Sequence, residues 1–124
     1  MGKLDGQTVL LVEDELLIAL DLQLTMEDEG AEVVLADGVE TGLATLGRRE
    51  ADGALPHVAL LDVRLGDGEV FPVADRLAAV GVPIVFHSGH AQGADLAAGY
   101  PGAAVLAKPA PSKRLIAALA ERAG

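Results

Sequence analysis

Five short apolar runs alternate along this chain with five segments of helical period. The runs are TVLLVED at 8–14, AEVVLA at 31–36, HVALLDV at 57–63, VPIVFHS at 82–88 and AAVLAKP at 103–109. The first is short, β-branched and ends in acids, as a parallel strand buried on both faces does. Between the runs the period changes. In ELLIALDLQLTMEDEG (15–30), Leu17, Leu20 and Leu24 recur at helical spacing, and Gly30 stands where a helix C-cap belongs. A second helix is expected over 38–50, weakened by Gly42 and Gly47. A third is expected over 70–81, with Pro72 tolerated near its start. The segment 89–102 carries Gly93 and Gly99 and predicts a short, mobile helix. The last, over 111–124, is amphipathic with Leu115, Ile116 and Leu119 inward. Strands alternating with helices imply an α/β fold, a doubly wound parallel sheet covered on both faces. Residues 1–124 read as one domain without repeat, linker or low-complexity tail, so no output domain is expected.

Composition narrows the function classes. Hydrophobic residues make up 51% of the 124, too many for a disordered chain. Phe71, Phe86 and Tyr100 are the only aromatics, which disfavours an aromatic-rich binding module. Nine basic against 19 acidic residues leave a net charge of −10, which argues against a nucleic-acid partner. The absence of cysteine removes disulfides and thiolate metal sites and fits a reducing compartment. No apolar run approaches the ~18 residues of a membrane span. Glu13 and Asp14 interrupt the one stretch that could serve as a signal peptide. MGKLDG opens like a myristoylation site but has Gly6 where Ser or Thr is needed. A soluble, cytoplasmic protein with no membrane partner is expected.

The run LLDVRLGDG (60–68) poses the chemical question, because a core-like strand ends on the bare carboxylate of Asp62. Open parallel sheets bind ligands outside the carboxyl ends of their strands. There the first run leaves Glu13 and Asp14, the third Asp62, the fourth Ser88 and the fifth Lys108. Two carboxylates ~4 Å apart repel by about 4 kcal/mol at an effective dielectric of about 20. Three acids against one lysine therefore call for a cation or for shifted pKa values. Hard oxygen ligands without His or Cys point to Mg²⁺. Asp62 would keep a free oxygen able to attack phosphorus, and Ser88 and Lys108 would hold the phosphoryl oxygens.

With LLVEDE, LLDVRL, FHSG and AKPA in this order and spacing, the chain resembles a response-regulator receiver domain of two-component signalling from about residue 8 to 120. The resemblance implies a CheY-like, flavodoxin-type (βα)5 sheet of strand order 2-1-3-4-5. It implies Asp62 as phosphoacceptor, with Mg²⁺ held by Glu13, Asp14, Asp62 and the backbone carbonyl of Arg64. It implies Ser88 and Lys108 as the hydroxyl and lysine of the phosphoryl site, with Pro109 after a cis peptide. His90 and the Arg64 side chain would border that site and tune the acyl-phosphate lifetime. Such a protein is not an enzyme beyond its own phosphorylation and dephosphorylation. Its partners would be a histidine kinase and a phosphotransferase or downstream regulator, and it would act as a monomer or weak dimer.

The sequence departs from the receiver pattern at three places. Val105 replaces the aromatic three residues before the lysine, Gly66 replaces a proline, and Ala110 replaces a phenylalanine. VPIVFHSGHA resembles the subgroup with a Phe-Ala-Thr-Gly-type stretch and no switch aromatic, single receivers associated with HWE-type histidine kinases. The rival reading is a phosphorylation-independent pseudo-receiver, whose mark would be a broken acid pocket. A haloacid-dehalogenase-type hydrolase would need an Asp where Arg64 stands, and a flavodoxin-like cofactor binder lacks its phosphate loop and stacking aromatics. His87 and His90, three apart, are poor evidence for zinc. His57 is expected in a loop or at a strand start, and Tyr100 in ordinary packing.

Overall fold

The computed structural model describes residues 2–89 and 93–124. The chain runs through β1 (Thr8–Val12), α1 (Leu16–Asp28), β2 (Glu32–Ala36), α2 (Val39–Ala51) and β3 (Val58–Asp62). A small antiparallel hairpin follows, β4 (Arg64–Leu65) and β5 (Gly68–Glu69). Then come α3 (Phe71–Ala79), β6 (Ile84–Ser88), α4 (Gly93–Gly99), β7 (Ala104–Ala107) and α5 (Ser112–Ala123). The large sheet is parallel throughout and ordered β2-β1-β3-β6-β7. Leaving out the hairpin strands, that is the expected 2-1-3-4-5. No helix among the described residues is long and apolar enough to cross a membrane.

The absence of polar alternation in the strands has a direct structural cause. Every residue of β3 and β6 is buried, because helices cover both sides of the sheet. Alternate side chains enter separate layers. Leu10, Ala59, Leu61 and Phe86 pack with Leu46, Val73 and Leu77 from α2 and α3. Val9, Leu11, Leu60 and Val85 pack with Leu22 and Met26 of α1 and Leu115, Ile116 and Leu119 of α5. Each buried aliphatic or aromatic side chain contributes about 1.5–3 kcal/mol relative to exposure, so β3, buried on both faces, anchors both layers. All three aromatics meet in the first layer. Tyr100 stacks on Phe71 at 6.4 Å between ring centroids and tilts against Phe86 at 5.2 Å. Its hydroxyl donates to Asp75 Oδ1 at 2.6 Å.

Gly30 ends α1 as its sequence position predicts. At φ +92 it occupies the left-handed region, where a side chain would be strained. The spacing of its leucines leaves the rotation of α1 open, and the packing decides it. Ala19, Leu22 and Met26 face the sheet, whereas Leu17, Leu20 and Leu24 point outward, Leu17 with 82% of its surface exposed. Both stripes have helical period, so periodicity identified the helix without fixing which stripe turns inward.

The hairpin is an addition to the five strands and five helices expected. Asp67 at its tip reaches across to α2, where the backbone N–H groups of Val39 and Glu40 donate to its Oδ1 and Oδ2 at 2.8 and 3.1 Å. The residue before α2 is Gly38, which has no side chain with which to cap, and a Cβ there would lie 2.8 Å from Asp67 Oδ1. The helix thus receives its cap from a loop 28 residues away. Those two donors hold the Asp67 pKa below its ordinary 3.8. A depressed carboxyl pKa stabilises the fold above the unfolded value, and the effect is lost as pH falls through the folded one.

Two outcomes follow from this packing. Leu77→Ala, at a site with no exposure, is expected to lower unfolding free energy by about 2–5 kcal/mol in urea titrations. Asp67→Ala is expected to lower the melting temperature at pH 7. Scanning calorimetry should find that deficit shrinking as pH drops below about 4, and a deficit independent of pH would contradict the charged cap.

Candidate functional site

Because all five strands of the large sheet are parallel, their carboxyl ends share one edge, and the polar residues that terminate them converge there. Glu13 and Asp14 follow β1, Asp62 closes β3, Ser88 closes β6, and Lys108 follows β7. Among the described residues, Glu13, Asp14 and Asp62 form a carboxylate group whose oxygens lie within 4.8 Å of one another. Lys108 Nζ stands 3.1 Å from Asp62 Oδ1 and 3.5 Å from Glu13 Oε2. Glu13 is only 3% exposed and Asp62 only 8%, while Asp14 is open to solvent. A hollow of about 170 Å³ beside this group is lined by Asp62, Arg64, Ser88 and Lys108, with Glu15, Val63 and Gly89.

Backbone contacts fix these side chains. Glu13 N–H donates to the Ala36 carbonyl at 3.1 Å and so ties the first acid to β2. Glu15 N–H donates to Glu13 Oε1 at 3.2 Å. Lys108 N–H donates to the Ser88 carbonyl at 2.8 Å, which holds the two strand ends in register. The Lys108–Pro109 peptide is cis, as expected. The β4–β5 hairpin runs past the acids, since a Cβ on Gly66 would lie 3.6 Å from Asp14 Oδ2.

The electrostatics are those of a site short of positive charge. Burial, with Asp62 adding negative charge, pushes Glu13 from 4.5 up to about 7. Burial alone would pull Lys108 down, but its contacts with Asp62 and Glu13 outweigh it, and the pKa ends raised. An all-oxygen donor set with surplus negative charge fits a hard divalent cation such as Mg²⁺. Asp62, at the rim and facing a small hollow with a hydroxyl and an ammonium, is placed to receive an electrophile carrying anionic oxygens.

All five predicted side chains, Glu13, Asp14, Asp62, Ser88 and Lys108, come together, and Arg64 borders the same hollow. His90 lies outside the described residues. His57 precedes β3 and its Nδ1 accepts the Thr8 N–H at 2.8 Å, a strand-start contact away from the acids. Tyr100 packs in the first core layer, as expected, and Val105 is partly buried against that layer. The contacts made by Glu15, Gly66 and Asp67 are not predicted by the sequence, because they run through backbone groups or close approach. His87 was weighed only as a metal ligand. It is buried, stands beside Asp62 in the strand register and lines a groove between α1 and α5.

A scan against protein-family models gives no match, and a comparison with curated proteins gives none either. Solved structures do match. A response regulator receiver protein from Sinorhizobium medicae superposes with a TM-score of 0.82 at 30% identity, over 97% of this chain and 96% of that one. A CheY-like receiver domain protein from Methanospirillum hungatei gives a TM-score of 0.80 at 24% identity, over 94% and 93%. The PhyR stress response regulator gives 0.75 at 26% identity, over 97% of this chain but 46% of that longer one. With its fold, the convergence of its strand-end residues and its full-length likeness to the Sinorhizobium protein, the chain belongs to the response regulator receiver family of two-component signalling.

Proposed function

We propose that this receiver is a phosphoacceptor, taking a phosphoryl group from a histidine kinase onto Asp62 in a Mg²⁺-dependent reaction. The observation that carries the reading is the Asp62 carboxylate, held 3.1 Å from Lys108 Nζ between two further acids at the sheet edge. Glu13, Asp14, Asp62 and the Arg64 carbonyl are the groups that would hold the ion. Bound there, Mg²⁺ would supply charge neutralisation for the transferred oxygens.

An Asp62 oxygen forms the new bond to phosphorus as the phosphorus–nitrogen bond of the donor breaks. The donor imidazole keeps the electron pair and is protonated. Lys108 is already paired with Asp62, and it follows the negative charge onto the phosphoryl group as a point-charge partner. Ser88, on the neighbouring strand, donates its hydroxyl to another phosphoryl oxygen. The product adds about −1.5 to −2 charge at the rim. Val105 offers no ring to swing inward, so the response runs through Ser88, Lys108 and the segments that follow β6 and β7. This matches the subgroup associated with HWE-type kinases. The readout is protein binding, or drainage of phosphate from the kinase, by a monomer or weak dimer in the cytoplasm. A phosphorylation-independent pseudo-receiver finds no support in a site that keeps every acid and the lysine.

Asp62→Asn should take up no label from a cognate phosphorylated kinase under conditions where the wild type is labelled; equal labelling of the two would refute the assignment. The raised Glu13 gives a second outcome. Its folded pKa near 7 lies above 4.5, so the folded state holds an extra proton and loses stability as pH climbs through that interval. A divalent ion competes with that proton. Added MgCl₂ should therefore raise the melting temperature more at pH 8 than at pH 5, and Asp14→Asn should blunt the rise. An identical Mg²⁺ response at both pH values would exclude Glu13 from the ion site.

A further inference from the structure

Packing does little to fix the tip of the β4–β5 hairpin. Gly66, Asp67, Gly68 and Glu69 are all exposed. Each hairpin strand is two residues long, and an isolated hairpin of that size does not hold itself. Asp67 lies between two glycines, of which Gly68 has a φ of +136 that favours glycine. Burial secures only the base, where Val63 and Val70 are enclosed and the Val70 N–H donates to the Val63 carbonyl at 2.9 Å. Yet this hairpin carries Arg64 on the rim of the phosphoryl hollow and passes Gly66 beside Asp14.

The start of α2 is what fixes the tip. Asp67 accepts the Val39 N–H with Oδ1 and the Glu40 N–H with Oδ2, so both carboxylate oxygens are engaged. Two bonds to adjacent amides set orientation as well as distance. The same stretch of chain is tied to the acids from the other direction. Ala36 closes β2 shortly before Val39, and its carbonyl accepts the Glu13 N–H at 3.1 Å. A closed circuit thus runs from Glu13 through Ala36 to Val39, across to Asp67, and back along the hairpin to Gly66 beside Asp14. Gly38 leaves the room this circuit needs, since a Cβ there would lie 2.8 Å from Asp67 Oδ1.

We infer that Asp67 is a positioning residue for the divalent ion: by bonding the first amides of α2 it sets where the Arg64 carbonyl stands relative to Glu13 and Asp14. The inference rests on the Mg²⁺ site of the phosphoacceptor reading. Released from α2, the hairpin samples several positions, and ordering it again weakens ion binding. By reciprocity, an ion that orders the hairpin strengthens the Asp67 bonds to α2.

Asp67 also brings a negative charge toward a cation site, so the test separates position from charge. Gly38→Ala keeps the charge and pushes the carboxylate off the α2 amides. Asp67→Asn loses the charge and keeps an acceptor oxygen. Leu119→Ala, at a fully buried site in α5, reports lost stability alone. Mg²⁺ dissociation constants are read from the Asp14 and Asp62 amide shifts, at a temperature where melting curves show every variant folded. They should rise about fivefold or more in Asp67→Ala and Gly38→Ala, less in Asp67→Asn, and stay at the wild-type value in Leu119→Ala. In wild type, Mg²⁺ should slow hydrogen exchange at the Val39 and Glu40 amides more than at those of α5. Wild-type affinity in Gly38→Ala would reduce Asp67 to a charge and overturn the inference. An equal loss in Leu119→Ala would trace the effect to general loosening and overturn it too, as would Val39 and Glu40 amides slowed no more than those of α5. Each of these outcomes leaves the phosphoacceptor reading intact. Wild type that binds no Mg²⁺ would remove the ion from that reading, and this inference with it. Should Asp67→Ala not fold, Gly38→Ala and Asp67→Asn carry the comparison.

Discussion

Three carboxylates and one ammonium share the carboxyl edge of the sheet, and their imbalance organises much of what surrounds them. Lys108 touches both Asp62 and Glu13, yet a single positive charge leaves the group negative in excess. Two of its members, Glu13 and Lys108, are tied by backbone contacts that side-chain repulsion does not undo. Glu13 is anchored through its N–H to β2 and through its carboxylate to the Glu15 N–H. Lys108 is anchored through its N–H to β6. A corner held in this way favours an incoming cation, because added positive charge relieves the repulsion already present.

That corner exists only because the rest of the sheet has no room for charge. β3 and β6 are buried over their whole length, so ionisable groups on those strands can stand only at their ends. Parallel strands put all such ends on one side. The hairpin after Asp62 then brings Arg64 and Gly66 back over the acids, and Asp67 at its tip pins it to α2. A loop that carries chemistry is thereby held at its start by β3 and at its tip by a helix terminus.

The two faces of the molecule use their apolar residues differently. On one, the three aromatics interlock and the Tyr100 hydroxyl closes onto Asp75, a packed arrangement that leaves Val105 without an aromatic role. On the other, α1 turns its larger leucines to solvent and covers the sheet with Ala19, Leu22 and Met26. Leu17 of that outward stripe and the buried His87 line the same groove.

Much of this was legible in the linear chain. Short strand-like runs, intervening helical periods and the order of Glu13, Asp14, Asp62, Ser88 and Lys108 were enough for the sheet, its parallel sense and the residues at its edge. These are local signals, since the period of a segment and the residue that ends it depend on neighbours in sequence. The rotation of α1, the capping of α2 by Asp67, the close pass of Gly66 by Asp14 and the orphaned ring of His87 were not legible. Each depends on which distant atoms arrive within a few ångströms. Two stripes of equal period on α1 cannot reveal which one meets the sheet, and a glycine does not announce the carboxylate that will occupy the space its missing Cβ leaves. Only the packing of elements far apart in the chain decides such matters, because short-range contacts between them form only once the whole sheet is assembled.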